Sequence, residues 1–114
     1  MTLDKHPKKQ EWSPRPRTAA RLAAVQALYQ MKMTGATPND IIEEFVYFRL
    51  PVAEENHGLG TPDTQLFRDL TSGTASHLNH IDSLIAPVLS HEGSLDKLEA
   101  TLKAILQVGV FELI

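Results

Sequence analysis

Apolar positions along this chain recur with the period of a helix, and no segment alternates with the period of two that marks a half-buried strand. The run from about Arg17 to Met33, RTAARLAAVQALYQMKM, has no internal Gly or Pro and is rich in alanine, so it predicts a first helix, with Gly35 as its stop. At 100° per residue Leu22, Val25, Tyr29 and Met33 form one stripe, while alanines 19, 20, 23, 24 and 27 cover much of the other side. A large apolar stripe opposite a small-residue face predicts an element packed on two sides, with neighbouring backbones coming close over the alanines. Thr37-Pro38-Asn39-Asp40 joins a capping hydroxyl, a proline and an acid, and so starts a short helix that runs to about Arg49. That helix has Ile41, Ile42, Phe45, Val46 and Phe48 to bury.

The stretch from Pro51 to Gly60 reads as a solvated loop, and Thr61-Pro62-Asp63 repeats the start signal. Beyond it Leu66, Phe67, Leu70, His77, Leu78, Ile81, Leu84, Ile85 and Val88 stay within one arc of a helical wheel. This unbroken phase predicts one helix about 40 Å long, kinked or ended by Pro87. A last helix starts near Ser94, with Asp96 in its first turn. It places Leu95, Leu98, Leu102, Ile105, Leu106, Gly109 and Leu113 on one stripe. Val108, Val110, Phe111 and Ile114 fall off that stripe, so its final two turns are apolar nearly all round and call for a cover from outside these 114 residues. The fold class is all-α, an antiparallel helical bundle over residues 17–114, preceded by a flexible basic arm at 1–16 that holds Pro7, Pro14 and Pro16.

Composition changes this picture in two places. The net charge of −3 hides a split: residues 1–34 hold seven basic residues against two acidic, a net of +5, and residues 35–114 hold four against twelve, a net of −8. A chain polarised in this way has a basic end suited to an anionic partner. The absence of cysteine excludes a disulfide framework and thiolate chemistry. The N-terminus lacks the apolar run of a secretory signal and no apolar stretch approaches the roughly 20 residues of a membrane span, so the chain reads as soluble and cytoplasmic, with no membrane partner.

Catalytic and metal chemistry find little support. His77 and His80 with Asp82 have a ligand-like spacing, but the wheel separates them and puts His77 on the buried stripe, so it reads as a satisfied core or boundary histidine and no metal is expected. Glu43 and Glu44 point about 100° apart on a helix and read as a solvated face, and Gly58 and Gly60 lack the Lys-Ser/Thr of a phosphate-binding loop. The basic end is more informative. Lys8, Lys9, Arg15, Arg17 and Arg21 lie within fourteen residues, and Arg17 and Arg21 stand one turn apart on one face, where they can grip successive phosphates. Trp12 lies among them and offers a stacking surface for an unpaired base. A solubilising tail would have the same composition. A flexible arm suits single-stranded RNA better than groove reading, and no helix-turn-helix is present to read a groove.

Three ordered stretches carry a resemblance. Ala20 to Tyr29, ARLAAVQALY, is similar to the first-helix motif of the NusB family of bacterial transcription antitermination factors, where an Arg-rich start leads into AVQALY. Phe67-Arg68-Asp69-Leu70 with Gly73 resembles the family's third-helix signature, and Ile105 to Leu113, ILQVGVFEL, resembles its I-L-R-x-G/A-x-Y-E-L segment. The resemblance implies a small helical factor that is not an enzyme and uses no cofactor. Such factors bind the boxA element of ribosomal RNA transcripts together with the ribosomal protein NusE, as part of the RNA polymerase antitermination complex. It further implies RNA contact by Arg17 and Arg21 and a NusE surface near Tyr29, with Phe67, Leu70 and Gly73 as structural positions. Gln107 departs from the pattern, standing where the family has Arg, and Thr18 and Ala19 thin the Arg cluster. The family also continues past Glu-Leu with further helices, so the resemblance implies that this chain is incomplete at its C-terminal end. Two other readings stay open: a NusB-like N-terminal domain of an rRNA cytosine methyltransferase, and a helical interaction module whose apolar end forms a homodimer interface.

Overall fold

The computed structural model describes residues 15–51, 62–91 and 98–114. The described residues form five α-helices and no strand: α1 Pro16–Thr34, α2 Pro38–Glu44, α3 Thr64–Ser76, α4 Leu78–His91 and α5 Leu98–Leu113, with a π-helical turn Phe45–Arg49 continuing α2. Local signals set several of the ends. Pro16 occupies the first turn of α1, and Gly35 stops the helix in the left-handed region at φ 77°, where its N–H donates to the Met31 carbonyl. Thr37 Oγ1 accepts from the Asp40 N–H at 3.2 Å and caps α2. At α3 the cap is Asp63, whose carboxylate accepts from the Leu66 N–H at 3.0 Å, two residues later than the predicted Thr61. Thr61, the 51–60 loop beyond Pro51, the Ser94 to Asp96 start and residues 1–14 of the predicted arm all lie outside the described residues.

The core is built on the alanine face of α1. Ala19, Ala20, Ala23, Ala24 and Ala27 are all buried, and α3 and α5 pack there. Side chains this small let helix backbones approach closely, so α1 works as the central post of the domain. Phe67 and Leu70 from α3, Ile41, Ile42 and Phe45 from α2, and Ala104 and Val108 from α5 complete one cluster. Phe45 and Phe67 stack with ring centroids 5.6 Å apart. Helices α1 and α5 run antiparallel, since Arg21 meets Glu112 while Leu28 and Lys32 share a cleft with Ala100 and Ala104.

The large stripe of α1 does not pack as predicted. Leu22, Tyr29 and Met33 are 51%, 40% and 53% exposed, and only Val25 is half-buried, so α1 is packed on its small face alone. The same inversion occurs on α5. Leu102, Ile105 and Leu113 of the predicted stripe face outward, whereas the off-stripe Val108 is buried and Phe111 half-buried. Leu113 and Ile114 remain exposed at the end of the helix.

The predicted long helix is two. His77, at φ −112° and ψ 19°, leaves the helical region between α3 and α4. The turn before it, SGTAS, is poor in helix formers, and side chains there reach back to carbonyls: Ser76 Oγ donates to the Ser72 carbonyl, and His77 Nδ1 lies 2.8 Å from the Gly73 carbonyl. Only one residue departs, and Ile81 N–H already bonds the His77 carbonyl, which is why the hydrophobic phase runs through the break. The helix continues past Pro87 to His91 instead of ending there. On the α2 side, the wider π turn inserts an extra residue between buried positions, so Leu50 takes the inward place and Phe48 is left 68% exposed.

Thr71 and Thr74 are fully buried on α3, and neither hydroxyl has a hydrogen-bond partner among the described residues. A desolvated, unpaired hydroxyl opposes folding, so Thr71→Val, which keeps the shape, is expected to raise stability by about 1 kcal/mol in urea denaturation. A loss of stability would show that the hydroxyl is satisfied in solution.

Candidate nucleic-acid interface

The start of α1 brings three of the described cations, Arg15, Arg17 and Arg21, within two turns of one another. Arg15 is the N-cap residue, with no side-chain cap of its own, and the first turn carries no acid. The positive end of the helix dipole, and first-turn N–H groups that no described residue caps, therefore lie beside Arg15 and Arg17, an arrangement that favours an anion. The start of α1 is held in place by the Asp63 N–H, which donates to the Pro16 carbonyl at 3.1 Å and ties it to the start of α3. Arg17 and Arg21 share a face, and Arg15 stands about 200° from Arg17 around the helix axis. Arg15, Arg17 and Arg21 are all exposed, while Lys8, Lys9 and Trp12 lie outside the described residues.

Arg17, Arg21, Val25, Tyr29 and Met33 follow one another at intervals of four, and so make one continuous ridge along α1. Its N-terminal end is cationic and its C-terminal end apolar. Arg21 is not free on this ridge: its Nε donates to both carboxylate oxygens of Glu112 on α5, each at 3.0 Å. Glu112 gave no sign of this role in the sequence, because a pairing across 91 residues has no local pattern.

The apolar end of the ridge borders an open cleft of about 390 Å³ formed by Val25, Tyr29 and Met33 with Thr101 of α5 and Arg49. The guanidinium of Arg49 fixes the far wall. It donates to Gln30 Oε1 at 2.6 Å, pairs with Glu44 at 3.4 Å and lies 4.8 Å above the centre of the Phe45 ring. Glu44 is thus an ion-pair partner, and Glu43 is solvated as predicted.

Gly73 and Gln107 acquire definite roles. A Cβ at Gly73 would overlap the Phe111 ring, so the glycine lets α5 close on α3. Gln107 Nε2 donates to Asp82 Oδ1 at 2.8 Å, and Lys103 stands 3.8 Å from the same carboxylate. Asp82 thus joins α4 to α5 through Gln107, and Lys103 supplies the opposite charge. Of the predicted satisfied core or boundary histidine, the structure excludes the core position: His77 is exposed, with Nδ1 2.8 Å from the Gly73 carbonyl and its ring 5.8 Å from that of Phe111. Its own departure from helical backbone angles takes it off the buried arc. Among the described residues no three His, Asp or Glu side chains are grouped to hold a metal ion, and no helix is long and apolar enough to cross a membrane.

Fold and surface together define an all-helical domain centred on a small-residue helix, with a basic helix start and an apolar continuation on one ridge. The model of the NusB family matches residues 18–114, and the chain belongs to the NusB family. It is 42% identical over 98 residues to the transcription antitermination protein NusB of Caulobacter vibrioides, covering 86% of this chain and 66% of that protein. The NusB proteins of Sinorhizobium fredii and Bradyrhizobium diazoefficiens are 40% and 44% identical over 98 and 106 residues, with 86% and 85% of this chain and 61% and 59% of theirs covered. The chain thus spans about three fifths to two thirds of the length of these relatives. No solved structure matches it.

Proposed function

We propose that this chain acts in transcription antitermination as a non-enzymatic RNA-binding factor, working in the cytoplasm by assembly rather than by chemistry. The observation that carries this reading is the polarised ridge of α1, cations at Arg17 and Arg21 followed by Val25, Tyr29 and Met33. The names of its relatives supply the process. On this reading the cations, with Arg15 and the outlying Lys8 and Lys9, attract the phosphates of a single-stranded boxA-type RNA, in a contact that weakens with salt.

So few cations position an RNA without specifying its sequence, and that requires a second contributor. The apolar end of the ridge, at Tyr29, is the surface assigned to a protein partner, the ribosomal protein NusE, which would bring the pair to the RNA polymerase complex. Fluorescence anisotropy with a boxA oligonucleotide and a scrambled one of equal length tests the RNA half. Binding to the boxA sequence, lost progressively between 50 and 200 mM salt as counterion release requires, is the expected result. Absence of binding to either oligonucleotide at low salt would refute it.

A further inference from the structure

Glu112 lies on α5, and the described turn around it holds no basic residue. The cation that faces it comes from α1. Arg21 Nε is shared between the two Glu112 oxygens at 3.0 Å each, and no described residue accepts from its terminal nitrogens. The two side chains are 44% and 28% exposed, so the pair is reachable by solvent and by a large anion. A phosphate arriving at Arg21 therefore meets a guanidinium whose charge is already opposed, a few ångströms behind, by a carboxylate.

We propose that Glu112 is an electrostatic mask on Arg21, holding the guanidinium in a fixed orientation while lowering its attraction for a polyanion. The inference rests on the reading of α1 as an RNA surface and adds a restraint to it. Glu112 acts through Arg21 and is a positioning residue. Orientation and charge are separable, because a glutamine at 112 keeps an oxygen for Nε and removes only the charge.

The test compares the full chain with Glu112→Gln, Arg21→Ala, their combination, and Glu43→Gln as a control that removes an exposed acid on α2. Retention on heparin reads polyanion attraction without regard to sequence, anisotropy with boxA RNA over a salt series reads the proposed ligand, and circular dichroism confirms the fold. Glu112→Gln is expected to elute from heparin at higher salt and to bind RNA about three- to fivefold more tightly at low salt, the scale set by an exposed ion pair. The salt slope should steepen by up to about 0.7, one single-strand phosphate contact. Both gains should vanish in the Arg21→Ala background and be missing from Glu43→Gln. Glu112→Ala, which also releases the guanidinium, must shift heparin retention in the same direction.

Unchanged or earlier elution of Glu112→Gln overturns the mask, as does a gain that survives in the Arg21→Ala background. The two readings fail separately. RNA binding by the unaltered chain with no response to Glu112→Gln removes the mask and leaves the RNA surface. A heparin gain through Arg21 in a chain that ignores RNA leaves the mask and removes the proposed ligand.

Discussion

Replacing Phe67 by alanine is expected to lower stability by about 3–5 kcal/mol, enough to leave a domain of this size largely unfolded near its working temperature. Phe67 is fully buried at the point where α3 meets both α1 and α2, and its ring stacks on Phe45. Removing it leaves a void that the alanines of α1 are too small to fill, and it strips Phe45 of its aromatic neighbour. Urea denaturation followed by circular dichroism measures the loss. A cost under about 1 kcal/mol would mean that the core lies elsewhere than on the alanine face of α1.

The double variant Arg17→Ala with Arg21→Ala is expected to weaken binding of boxA RNA and to reduce the salt slope by up to about 1.4, two single-strand phosphate contacts. Arg17 is exposed and is the larger contributor on this account, since Arg21 shares its charge with Glu112. The Glu112 pair also alters what the fold should feel. Losing Arg21 removes an exposed contact between α1 and α5 worth about 0.2–1 kcal/mol, so the stability cost is small but present. A large loss of helicity would identify the two arginines as structural, and an unchanged salt slope would place the RNA elsewhere.

The helix class and several helix ends were legible in the sequence because their causes are local. Thr37, Pro38 and Asp40 act within one turn, and Gly35 supplies a left-handed backbone where α1 must stop. Which face of α1 is buried was not legible. Both faces are apolar, and only the neighbouring helices show that closeness over alanines decides the packing, leaving Leu22, Tyr29 and Met33 outside. On α5 a stripe of larger residues likewise misled, because Ala104 and Val108 fit against α1 where Leu102 and Ile105 would not. The His77 break escaped notice since a single residue leaves the helix and the hydrophobic phase survives it.

The candidate site divides in the same way. The spacing of Arg17 and Arg21 and the position of Tyr29 follow from helical geometry, and the structure keeps them on one ridge. The partner of Arg21 and the anchoring of Arg49 to Gln30 across α1 depend on tertiary contacts and carry no sequence signal.

On the proposed reading one end of this ridge serves RNA and the other a protein, so each should strengthen the other's hold. Titrating boxA and scrambled RNA into the chain with and without saturating NusE measures that directly. NusE is expected to tighten binding to boxA about tenfold, within the usual range of coupling between two sites, and to leave the scrambled RNA weakly bound. Affinities that are equal for the two RNAs and unmoved by NusE would contradict it.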